Sequence, residues 1–194
     1  MNIEKRTEKR GFQKTIIEKN VISIDIFLIL NCIIYVHNFE RDDVQEKLVG
    51  KNIFEIFDFI RNEKNSSGYY PAEINEDEFL GILNTVDHSR QVYEKIKIVD
   101  IDNLVYGNAT GSDRVVNVSF LFEDCLIIVY KGTAGDYEWK DNVEGTYNIT
   151  DTKQQRRALR YFDKMVKKFD NISKIYVSGH SKGGNKAQYV GVLR

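Results

Sequence analysis

One proline, two cysteines and three histidines in 194 residues are few, and each scarcity closes off a class of explanation. Cys32 and Cys125 both lie inside apolar runs. Two such residues make neither a disulfide framework nor a metal cluster, and they read as small core hydrophobes of a reducing compartment. Charge of one sign is also lacking. With 28 basic and 29 acidic residues the net charge is -1, which gives no electrostatic ground for nucleic acid as the main partner. A long hydrophobic run is missing too. Ile22 to Val36 is shorter than the roughly 20 residues a membrane span requires, and it contains Asp25 and Asn31. It reads as a buried core helix. The first ten residues have no apolar core and no cleavage pattern, so no secretory signal is expected, and a cytoplasmic location is the default expectation.

What is present suits a folded domain. Hydrophobic residues make up 42% and aromatics 12% of the chain, enough for a substantial core and far from a disordered composition. The length suits one domain, with a polar segment at 1–21 and a single domain at 22–194. Apolar residues at helical spacing predict helices over 43–62, broken near Gly50, and over 75–85, continuing helical through 89–97. Residues 63–71 read as a loop, and a short strand is expected near Ile96 to Ile101.

The strand signal is clearest further on. Val116, Val118, Phe120 and Phe122 alternate with Asn117, Ser119 and Leu121, the period of a half-buried strand. Glu123 and Asp124 make a turn. Cys125 to Tyr130 is a continuous apolar run, as in a strand covered on both faces. The pair predicts a hairpin. An amphipathic helix follows over 152–169, with Ala158, Leu159, Phe162, Met165, Val166 and Phe169 on its apolar face and Thr150 or Asp151 as its N-cap. Then come a short buried strand at Ile175 to Val177, a glycine-rich turn, and a helix from about 184. Strand, helix, strand, helix implies a parallel pair with a right-handed crossover.

The chemistry is concentrated in that turn. Gly179-His180-Ser181-Lys182-Gly183 fits G-x-S-x-G between a strand and a helix, the setting of a nucleophile elbow. The turn must be so sharp that side chains two residues either side of the serine would collide with backbone, hence the glycines. It exposes the serine oxygen and aims the Lys182 N–H and the helix N-terminus at a developing negative charge. A second oxyanion donor is expected after a neighbouring strand, where Lys131-Gly132-Thr133 follows the apolar strand. Gly132 allows close approach, and Thr133 offers its N–H and hydroxyl.

Tyr130 to Thr133, Trp139 to Asp141, and Ile175 to Asn185 together resemble the class 3 lipase-like α/β-hydrolases. More narrowly they resemble the Mbeg1-like bacterial family, whose usual strings are F-R-G-T…W…D and G-H-S-K-G-G-N-L-A. The resemblance covers roughly 22–194. It implies an α/β-hydrolase fold, here an incomplete one, with a mixed sheet flanked by helices and a helical N-terminal region. It also implies Ser181 as nucleophile, Thr133 and Lys182 as the oxyanion hole, a small ester or lipid as substrate, and no cofactor or metal. This sequence departs from the pattern at Lys131, where the family has arginine, and at Lys186, where it has leucine. The latter substitution is expected to loosen packing after the elbow.

In α/β-hydrolases the triad runs Ser, Asp, His along the chain. Residues 182–194 contain no Asp, Glu or His. The expectation is therefore a fragment of a longer hydrolase, ahead of a silent short relative or an assembly in which a homo-oligomer or second chain covers the open sheet edge. A serine without a base is a poor nucleophile. His37 and His88 are weak substitutes, and the His180 side chain is expected to point away. A non-catalytic binding or scaffolding module on the same fold is the main alternative. A turn kept for packing alone is another. A phosphate-binding loop is disfavoured because Asn185 and Lys186 put the lysine one place late. The acidic cluster of Asp136, Glu138, Asp141 and Glu144 lacks metal-ligand spacing and reads as a solvated loop, as Lys164, Lys167 and Lys168 read as a solvated helix face.

Overall fold

The computed structural model describes residues 22–36, 39, 41–67, 76–105, 114–132 and 151–194. Five helices come first: α1 (Ile24–Ile33), α2 (Asp42–Leu48), α3 (Ile53–Ser67), α4 (Glu76–His88) and the single turn α5 (Arg90–Tyr93). The strands β1 (Ile96–Val105), β2 (Arg114–Phe122) and β3 (Cys125–Tyr130) follow, then α6 (Lys153–Lys168), β4 (Lys174–Gly179) and α7 (Lys182–Leu193). Among the described residues the strands form one mixed sheet in the order β1-β2-β3-β4. The first two pairings are antiparallel, and β3 and β4 run parallel.

Local chemistry fixes the element boundaries. Ser23 caps α1 by accepting from the Asp25 N–H at 3.3 Å. Gly50, at φ 89°, separates α2 from α3, and Asn52 and Glu55 bond each other's backbone N–H at the start of α3. Gly50 also donates to the Ile98 carbonyl at 2.8 Å, so the α2–α3 connection lies along the outer edge of β1. The α6 N-cap is Thr152, one or two residues later than expected, because its hydroxyl and the Gln155 side chain complete a capping box. The stretch 63–67 is helical rather than loop. The helix expected to run through 97 ends at Tyr93, and Ile96 and Lys97 already pair with β2.

The core lies on both sides of the sheet. Val116, Val118, Phe120, Ile127 and Val129 face α1 to α5 in one apolar cluster. Leu126, Ile128 and Tyr130 face Ala158, Tyr161 and Met165 of α6 and Ala187 and Val190 of α7. The alternation in β2 predicts a half-buried strand, but Asn117 and Ser119 are fully buried. They are covered because they are paired. Ser119 donates to Tyr161 Oη at 2.8 Å, and Asn117 donates to Asp102 at 2.9 Å. A bulge at Val99 turns Asp100 and Asp102 to this same face. There Arg157 grips Asp102 through two bonds, and Lys164 and Lys168 reach Asp100. The α6 lysines are therefore partly engaged with β1.

Two further expectations need correction. The first apolar helix is buried on one side only: Ile26, Ile29, Leu30 and Ile33 face the core, whereas Ile24 and Leu28 face outward. Cys32 follows them on the exposed side, so only Cys125 is a core thiol. On α6 the buried stripe is Gln154, Ala158, Tyr161 and Met165, and Val166 is exposed. Among the described residues no helix is long and apolar enough to cross a membrane.

Candidate functional site

Because β3 and β4 are parallel and Tyr130 pairs with Gly179, both strands deliver their following residues to the same edge of the sheet. Lys131 and Gly132 leave β3 there, and His180 and Ser181 leave β4 beside them. A side chain added at Gly132 would collide with the Tyr35 hydroxyl, lie 2.7 Å from the His180 carbonyl and touch Ser181 Cβ at 3.4 Å. The two loops are thus in contact, backbone against backbone, with the serine at the junction.

The turn itself is sharp. Ser181 has φ 55° and ψ -124°, outside the regions open to L-residues, and costs on the order of 1–3 kcal/mol to hold. A Cβ at Gly179 would run into the Gly183 backbone, and one at Gly183 into the Tyr130 carbonyl oxygen. The glycines are needed for close approach, as the spacing predicted. Gly183 N–H donates to the His180 carbonyl and Gly184 N–H to the Ser181 carbonyl, both at 2.9 Å. Those amides are occupied in closing the turn, which leaves no phosphate-cradling loop.

Ser181 occupies the N-cap position of α7, yet its side chain makes no capping bond. Serine ordinarily earns that position with an extended backbone and a hydroxyl accepting from the helix. Here the backbone is not extended, and the side chain is exposed. Lys182 is the first helical residue, so its N–H is one of the four that the helix itself does not use, and the positive end of the helix dipole lies at the serine. Among the described residues, no side chain hydrogen-bonds the Ser181 hydroxyl.

The remaining candidates scatter. Thr133, the acidic cluster Asp136 to Glu144, and His37 lie outside the described residues. His88 sits exposed at the end of α4, with Nδ1 2.5 Å from the Asn84 carbonyl. His180 is exposed, and its ring meets Tyr35 edge-on, with Nδ1 3.2 Å from the Tyr35 hydroxyl. Among the described residues no group of three His, Cys, Asp or Glu converges on a metal position.

Two features went unnoticed in the sequence. Lys131, Lys182 and Lys186 are all buried around this end of the sheet. Lys186, expected to loosen the packing after the elbow, is fully buried on α7. The signal was its spacing, since 182, 186 and 190 form one helical stripe. The second is Tyr35, whose hydroxyl accepts the Gly132 N–H at 3.0 Å, and whose ring lies 5.3 Å from the Lys131 ammonium. Asn31, the polar break in an apolar run, was the visible clue to that helix face.

The Mbeg1-like family model matches residues 90–193, more than half of the chain. The chain belongs to the Mbeg1-like family. That Mbeg1-like match takes in three of the structural parts of the site: β3, β4 and the turn that carries Ser181. It begins after α1, so Tyr35 lies outside the matched stretch. No curated protein and no solved structure matches the chain.

Proposed function

We propose that Ser181 is the nucleophile of a serine-dependent ester hydrolase site of the class 3 lipase-like α/β-hydrolase type. The observation that carries this reading is the strained, non-capping serine: an unfavourable backbone is retained at a residue whose hydroxyl does nothing for the helix it precedes. In the reaction, Ser181 Oγ attacks the ester carbonyl carbon, the bond to the alcohol breaks, and the serine proton leaves with the alcohol. Water then cleaves the acyl-serine bond. The carbonyl oxygen, negative in the intermediate, would face the Lys182 N–H and, across the junction, the loop leading to Thr133. One such donor is typically worth ~10²–10³ in rate. No metal or cofactor enters these steps. Among the described residues no general base is bonded to the Ser181 hydroxyl.

The test is exposure of the full chain to a panel of p-nitrophenyl esters of increasing acyl length. Release of p-nitrophenolate together with an acyl mass on the protein, both lost in Ser181→Ala, is the expected result. Equal release by Ser181→Ala would overturn the reading. The second reading is a non-catalytic binding module on the same fold. It is favoured by the engagement of the His180 imidazole, next in sequence to the serine, with Tyr35 rather than with Ser181.

A further inference from the structure

Three side chains of the first helix region lie against three on or just past the last strand. The Phe27 ring packs on Tyr176 at 5.5 Å between centroids. Asn31 Nδ2 donates to Ser178 Oγ at 2.7 Å. Tyr35 meets His180, ring edge to ring and hydroxyl to Nδ1. The steps are four residues on the helix side and two on the strand side. Four helical residues rise about 6 Å and two strand residues about 6.6 Å, so the two elements stay in step until they reach the elbow. Tyr35 lies just past α1, and its N–H bonds the Cys32 carbonyl at 3.2 Å. A one-turn continuation therefore delivers its hydroxyl to the junction.

At that junction the hydroxyl meets two different loops. It accepts the Gly132 N–H at 3.0 Å. Its own proton can then go to His180 Nδ1, 3.2 Å away, when the imidazole carries its proton on Nε2. A Cβ placed at Gly132 would clash with the Tyr35 hydroxyl and touch Ser181 Cβ at 3.4 Å, so the hydroxyl and the serine side chain flank the same point. A tyrosine used only for packing would need its ring there, not a hydroxyl joining an amide to an imidazole.

We propose that Tyr35 is a positioning residue of the serine site: its hydroxyl ties the loop after β3 to the elbow and fixes the separation of Gly132 from Ser181, making the N-terminal helix part of the site. As a statement about catalysis this rests on the Ser181 reading. As a statement about geometry it does not. The tie sets where the Gly132 backbone stands relative to the serine, and displacement of such a group by about 1 Å can cost up to ~10²-fold in rate.

The experiment compares the full chain with Tyr35→Phe and Ser178→Ala, two variants that each delete one hydroxyl from the same helix–strand ladder. Two readouts are taken: Gly132 amide exchange with the His180 imidazole ¹⁵N shifts, and the kinetics of fluorophosphonate labelling. In Tyr35→Phe the Gly132 amide should exchange roughly tenfold faster and the His180 shifts should move. The labelling rate at saturating probe should fall about tenfold, with the half-saturating concentration unchanged. Ser178→Ala should do none of these. Wild-type labelling kinetics in Tyr35→Phe, or an equal slowing in Ser178→Ala, would overturn the proposal. If the wild-type chain takes no label, the Ser181 reading fails, and the amide and imidazole signals decide the tie alone: unmoved in Tyr35→Phe, they overturn it. Should Tyr35→Phe not fold, 3-fluorotyrosine at position 35 keeps the ring and hydroxyl while making the proton more acidic. The alkaline limb of the labelling profile should then shift to lower pH, and an unchanged profile would count against the proposal.

Discussion

On the face of the sheet covered by α1 to α5, the strands present Val116, Val118, Phe120, Ile127 and Val129 to a large apolar cluster. On the face covered by α6 and α7, β1 and β2 present Asp100, Asp102, Asn117 and Ser119, met by Tyr161, Arg157 and two lysines. The first face is held by area removed from water, which does not depend on direction. The second joins a smaller apolar cluster, Leu126, Ile128 and Tyr130 against α6 and α7, to hydrogen bonds at β1 and β2 that require their partners, since a buried polar group without one costs about 1–3 kcal/mol. The elbow lies where the faces meet, with α1 approaching it from the apolar side and α7 leaving it on the polar side. A strained serine needs both: bulk to resist relaxation and directed bonds to fix the loops.

The largest expected effect that separates the faces is alkaline unfolding. Burial pushes the phenols of Tyr130 and Tyr161 on the polar face well up, and that of Tyr93 on the apolar face up to about 12. All three keep their protons in the fold when an unfolded tyrosine has lost its own near pH 10. Their contribution is complete below about pH 10 and is lost as pH rises through the folded values. Stability should fall by about 1.4 kcal/mol per pH unit for each tyrosine. Denaturant titrations should show little of this slope at pH 9 and about 4 kcal/mol per unit between about pH 10.5 and 11.5, and Tyr130→Phe with Tyr161→Phe should remove two-thirds of it.

Substitutions break the faces one at a time. Phe120→Ala, at a fully buried position of the apolar face, should cost about 3–5 kcal/mol in urea unfolding, with no dependence on salt. Asp102→Ala on the polar face strips the acceptor from both Asn117 and Arg157. It should cost about 2 kcal/mol, and part of the Asp102 contribution in the wild type should fade as salt is raised. The smallest effect has the opposite sign. Ser181→Gly relieves the backbone strain of the elbow and should stabilise the chain by about 1 kcal/mol, visible as a rise in Tm. A fall would mean the turn is not strained.

The apolar face was legible because hydrophobic periodicity is a local signal: Val116, Val118 and Phe120, and the run 125–130, gave the hairpin and its neighbour strand. The glycines around Ser181 were legible for a similar reason, since their spacing follows from one turn. The polar face was not. Asn117 and Ser119 look like solvent positions unless Tyr161, some forty residues on, is known to cover them, and the bulge at Val99 that turns Asp100 and Asp102 inward leaves no mark on the pattern. Tyr35 was hidden in the same way. Nothing near it in sequence says that His180 lies against its ring, and only Asn31 hinted that this helix faces something polar. Pairing across 145 residues is set by topology, which one-dimensional periodicity does not contain.

On the function proposed for Ser181, the elbow exists to present a reactive hydroxyl rather than to pack a turn. The most direct measurement is reaction of the folded chain with a fluorophosphonate, followed by peptide mapping of the adduct. A phosphonyl mass on Ser181 in the wild type, and on no residue of Ser181→Ala, is the predicted result. A folded wild-type chain that takes no phosphonyl group, or takes it at another residue, would contradict the account.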